Sequence, residues 1–77
     1  MTNRKNYYKN IALSERETQC LYYLLTGKSA ASTAKLLGLS PKTVEYYIEN
    51  VKLKMACNTR EELIKKSIEK GYLVILL

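Results

Sequence analysis

Apolar residues recur along the middle of this chain with a helical period. Val44, Ile48, Val51 and Met55 fall at i, i+4, i+7 and i+11, the repeat of one buried face. Lys42, Glu45, Tyr46, Glu49 and Asn50 occupy the opposite side, with Leu53 among them. The spacing predicts a helix from Pro41 to about Met55, one face inside and one outside. Upstream, Leu21, Leu24 and Leu25 share a side with Cys20, which predicts a helix opened at Ser14 and stopped at Gly27. Ala31, Ala34 and Leu37 mark a shorter helix whose small residues suit close approach of a neighbour. Leu63, Ile64 and Ile68 mark a fourth helix ending at Gly71, and the segment Tyr72 to Leu77 is almost wholly apolar. No strand pattern, repeat or low-complexity run interrupts this order, so the fold class is all-α with four helices.

The junctions carry their own signals. Ser14 with Glu17 forms a capping box, and Leu13 is placed to staple it. Ser29 can cap the second helix, and Thr59 with Glu62 makes a second capping box for the fourth. The tightest junction is Gly38-Leu39-Ser40-Pro41. Gly38 can take the left-handed conformation that ends a helix, Leu39 is expected to bury in the turn, and Ser40 caps the next helix. Pro41 at the first helical position gives up no helical bond. Helices joined by so short a turn cross steeply and push the second one outward. That is the helix-turn-helix arrangement, whose second helix enters the DNA major groove.

At 77 residues the chain is one domain, near the lower limit for a core without staples. Residues 1–12 are polar and basic, with Tyr7 beside Tyr8, and are expected to form a flexible arm ahead of a domain spanning 13–77. No apolar run reaches the length of a membrane span and no signal-peptide pattern opens the chain, so a cytoplasmic protein without a membrane partner is expected. Lys and Arg number 13 against 7 Asp and Glu, a net charge of +6 that suits a polyanion. The chain has no histidine, and Cys20 and Cys57 are far apart without a C-x-x-C, so no metal, cofactor or small-molecule ligand is expected. Glu17 has no companion acid or base for catalysis and reads as the partner of Ser14, with a Lys or Arg at the core edge as a further ion partner. The residues an enzyme needs are missing from the pattern.

Several motifs in register resemble the DNA-binding domain of the LuxR/FixJ/GerE group of bacterial transcription regulators. The L-T/S-x-R-E opening falls on Leu13, Ser14, Arg16 and Glu17, followed by Leu21 and Gly27. The S-x-x-T-V stretch falls on Ser40, Thr43 and Val44, and N-I/V-x-x-K-L/M on Asn50, Val51, Lys54 and Met55. Arg60 matches the arginine early in the last helix, and Gly71 to Leu73 the closing G-L/Y-L. The resemblance implies a four-helix module without a β-wing, a third helix that reads double-stranded DNA, and a homodimer formed through the fourth helix. Leu63, Ile64, Ser67 and Ile68 are the dimer candidates it points to. The chain departs from the family at Tyr47, where histidine is common, at Thr33, where Ile or Val is preferred, and at Leu53, where a basic or polar residue is common.

On this reading Lys42 and Thr43 contact phosphate at the third helix's N-terminus, and Lys54 and Arg60 reach the backbone from elsewhere. Glu45 either accepts from a cytosine amino group or is a solvated acid that repels phosphates. Tyr46 contacts a thymine methyl or a phosphate, or else covers Leu53. Glu49 adds a second carboxylate to the face, and Asn50 holds a base, a phosphate or its own backbone. The expected function is a sequence-specific transcription regulator, with RNA polymerase a further candidate partner. The alternative is a protein-interaction module that modulates a full-length regulator or the polymerase.

Overall fold

The computed structural model describes residues 13–71. The basic arm and the apolar 72–77 segment, and with them the closing motif beyond Gly71, lie outside the described residues. Four helices follow in order: α1 (Glu15–Leu25), α2 (Ala30–Leu37), α3 (Pro41–Lys54) and α4 (Arg60–Glu69). There is no strand among the described residues. Helix α3 packs on both α1 and α2, and α4 packs on α1. The core joins Leu13, Leu21 and Leu24 of the first helical region to Ala34, to Leu63, and to the stripe Val44, Ile48, Val51 and Met55.

Each helix begins where a side-chain oxygen can replace a missing backbone partner. At α1 the box closes both ways: the Glu17 N–H donates to Ser14 Oγ at 3.1 Å and the Ser14 N–H to Glu17 Oε1 at 2.9 Å. Ser29 Oγ accepts from the Ser32 N–H, and Ser40 Oγ from the Thr43 N–H, each at 3.1 Å. At α4 the expected box is only half formed. Thr59 Oγ1 accepts from the Glu62 N–H, but the Glu62 carboxylate accepts from the Asn58 N–H at 2.7 Å. Thr59 enters with φ −128° against −72° at Ser14, which swings its own N–H away from the first turn.

Further differences concern burial. Leu39 is half-buried against the core edge rather than fully inside. Ser67, a dimer candidate, is fully buried, whereas its neighbour Ile68 faces solvent as a contact residue would. Helix α4 turns its Leu63–Ser67 edge inward, and the small Ser67 lets it approach Met55, with the hydroxyl donating to Met55 Sδ at 3.9 Å. Ile68, one residue further round, then points out. Cys20 and Cys57 are both free thiols in the interior, and burial pushes the Cys20 thiol above its ordinary range. They pack as small apolar residues, as expected.

The C-terminal end of α3 has no glycine, yet it closes as a glycine-type turn. The Cys57 N–H donates to the Lys52 carbonyl at 2.8 Å and the Ala56 N–H to Leu53 at 3.2 Å, the two bonds of a Schellman motif. Ala56 supplies the left-handed position at φ 56°. Lys66 reaches back from α4 and donates from Nζ to the Met55 carbonyl at 2.9 Å.

Candidate nucleic-acid interface

The period that buries Val44, Ile48 and Val51 sends the remaining residues of α3 outward. Lys42, Glu45, Tyr46, Glu49 and Leu53 form one exposed stripe along the helix, with Tyr46 62% and Leu53 72% exposed. Thr43 and Asn50 border it and are half-buried. Tyr46 meets Tyr47 edge-on, with ring centres 5.6 Å apart at 61°. Tyr47 itself packs against the core edge, filling the place where the family commonly has histidine.

The first turn of α3 is largely self-satisfied. Pro41 has no N–H, the Thr43 N–H is held by Ser40 Oγ, and the hydroxyls of Ser40 and Thr43 lie 2.9 Å apart. That leaves the Lys42 N–H as the open backbone donor of this turn among the described residues, directly beside the exposed Lys42 ammonium. A positive side chain and a free N–H at a helix N-terminus suit an anionic oxygen.

The two carboxylates of the stripe differ. Glu49 Oε1 accepts from Lys52 Nζ at 3.2 Å, and Lys52 lies along the protein with its side chain mostly covered. Glu45 has no such bond among the described residues. Lys52 carries no motif of its own, and its i+3 spacing from Glu49 is the one sequence signal for this pair. For Lys66 no local pattern announces its bond to a carbonyl 11 residues away.

Lys54, exposed beside Leu53, is tied to the first helix. Its Nζ donates to Glu17 Oε1 at 2.7 Å, bridging 37 residues between the start of α1 and the end of α3. The Lys54 side chain is 41% exposed, whereas the Glu17 side chain is buried. Burial by itself raises the Glu17 acid, but bonds from the Lys54 ammonium and the Ser14 N–H, the Lys54 charge and the Ser14 hydroxyl outweigh it. The Glu17 carboxyl therefore sits below its ordinary value. Arg60 is exposed at the first position of α4. Of the dimer candidates, Leu63 and Ser67 are fully buried within the monomer and have no surface to offer a second copy. Ile64 is half-buried, and Ile68 is exposed.

No group of three or more potential metal-ligating side chains comes together among the described residues, and no described helix is long and apolar enough to cross a membrane. The arrangement is an exposed helix face that carries donors, acceptors and apolar surface side by side.

Comparison with known proteins adds the family context. Residues 11–67 match the family described as bacterial regulatory proteins, luxR family. The chain is 35% identical over 63 residues to the transcriptional activator protein AhyR of Aeromonas hydrophila, covering 82% of this chain and 24% of AhyR. It is 41% identical over 69 residues to the transcriptional regulatory protein FixJ of Azorhizobium caulinodans, covering 88% of this chain and 33% of FixJ. Among solved structures, a phage VqmA in complex with DPO superposes with a TM-score of 0.77 at 41% identity, over 79% of this chain and 28% of that one. The Vibrio cholerae VqmA dimer without its target DNA superposes at 0.80 with 28% identity, over 90% of this chain and 34% of that one. The chain thus spans about a quarter to a third of the length of these relatives.

Proposed function

This chain belongs to the luxR family of bacterial regulatory proteins, and from that premise we propose that it is a sequence-specific, double-stranded DNA-binding transcription regulator. Helix α3 enters the major groove and presents Lys42, Glu45, Tyr46, Glu49 and Asn50 to the duplex. The observation that carries the reading is the split of α3 into a buried Val44–Ile48–Val51 edge and an exposed stripe headed by Lys42 and its open N–H. The chain's charge of +6 supplies attraction to phosphate at any sequence.

Lys42, with Thr43 beside it, is the phosphate anchor of this face. Lys54 holds α1 against α3 instead, and Arg60 is a second phosphate contact from α4. The protein acts as a dimer, with two α3 helices in successive major grooves roughly 34 Å apart on an inverted repeat. Ile68 and Ile64 on α4 form the contact between copies; the exposed Ile68 supports this, as does the dimeric state named for the Vibrio cholerae VqmA.

The test is selection of bound duplexes from a randomised pool, followed by affinity measurements across salt. A consistent two-fold motif is expected. Replacing Lys42 by Ala should weaken all sequences alike and lower the slope of log affinity against log salt by about one. Weak binding without any enriched motif would instead favour the protein-interaction alternative, which the carboxylates Glu45 and Glu49 support.

A further inference from the structure

We infer that Glu45 is the specificity-determining residue for a cytosine in each half-site, its carboxylate accepting from the exocyclic amino group in the major groove. The inference rests on the reading of α3 as the DNA-facing helix. Glu45 and Glu49 stand at i and i+4 on the exposed stripe, two like charges on one side of a helix. The chain resolves only one of them. Glu49 is matched from its own helix by Lys52 at 3.2 Å. Glu45 takes no hydrogen bond or ion pair from any described residue, although Lys42 stands three positions earlier, within reach of an i, i+3 pair.

An unmatched acid on a surface that approaches phosphates is repelled unless the duplex returns a donor. In the major groove the base donors are the amino groups of cytosine and adenine. Adenine sets its N7 acceptor beside the amino group, and that lone pair faces a carboxylate unfavourably. Cytosine offers the amino group without an acceptor of its own on that edge. The bare carboxylate therefore selects cytosine. The Glu45 backbone follows the buried Val44 and the Thr43 whose N–H and hydroxyl are both tied to Ser40.

The experiment is motif selection from a randomised duplex pool with the 77-residue chain, Glu45→Ala and Glu45→Gln, followed by affinities for duplexes changed at single positions. Circular dichroism confirms that both variants fold, as expected for an exposed side chain. The unaltered chain should prefer C·G at one position of each half-site by about tenfold. Glu45→Ala should lose that preference while the other positions keep theirs. Glu45→Gln should move it to A·T, because the amide matches adenine's amino group and N7. If both variants keep every preference, or tighten binding equally for all sequences, Glu45 merely repels and the assignment is overturned while α3 remains the reader. If the unaltered chain enriches no motif, the DNA-reading role of α3 fails, and the cytosine assignment fails with it.

Discussion

The turn before α3 and the turn after it each reverse the chain through a left-handed residue, Gly38 at φ 70° in the first and Ala56 at φ 56° in the second. The first is held by its own sequence. Gly38 takes the conformation without strain, Ser40 caps the helix it opens, and Pro41 costs that helix nothing. The second is held from a distance. Ala56 carries a Cβ into a region that disfavours it, and the residues just before it are gripped by other helices: Lys54 by Glu17 of α1, and the Met55 carbonyl by Lys66 of α4. The end of α3 that heads the exposed stripe is thus locally encoded, and its far end is fastened by tertiary bonds.

The largest expected effect comes from breaking the distant fastening. Lys54→Ala leaves the buried Glu17 carboxylate without its cation, and should cost about 2 kcal/mol in urea unfolding, a buried-pair penalty discounted for the half-exposed lysine. If the cost were only a few tenths, the pair would be an ordinary surface bridge. The same contact has a pH signature. Because the folded Glu17 is more acidic than its ordinary 4.5, it adds stability at neutral pH that drains away as pH falls below that value. In Lys54→Ala the acid limb of the stability curve should flatten, as measured by melting temperature between pH 6 and 3.

Next in size is the local turn. Gly38→Ala meets no atom within 4 Å, so its cost is purely that of the backbone conformation, about 1 kcal/mol. Thermal melts check this, and no loss would show that the turn relaxes to another shape. The smallest effect has the opposite sign. Ala56→Gly relieves the left-handed alanine but frees the unfolded chain, for a net gain of about 0.5 kcal/mol. A loss there would mean that the Ala56 methyl makes packing worth more than its strain.

Legibility from sequence follows the same division. The starts of α1, α2 and α3 were readable because Ser14, Ser29 and Ser40 act on residues three positions away. The exposed stripe of α3 was readable because its period is the complement of the buried one. The end of α3 was not readable as a glycine-type turn, since Ala56 offers no such signal and its bonds to Lys52 and Leu53 exist only once the chain has turned. The inward edge of α4 was also hidden: Ile68 looks like core by composition, but the fit of Ser67 against Met55 sets the rotation of the helix. A Lys or Arg partner for Glu17 is expected from the sequence, but which residue fills the place shows only in the folded chain, where Lys54 comes from 37 residues away.

The two sequestered thiols give this molecule a pair of internal clocks. Cys20 is in α1, while Cys57 follows the strained Ala56. An aromatic disulfide reagent reaches either sulfur only when its surroundings open, so the two labelling rates separate fraying of the loop after α3 from disruption of the whole bundle. In single-cysteine variants, a faster rate at Cys57 than at Cys20 would give the free energy that keeps that loop shut.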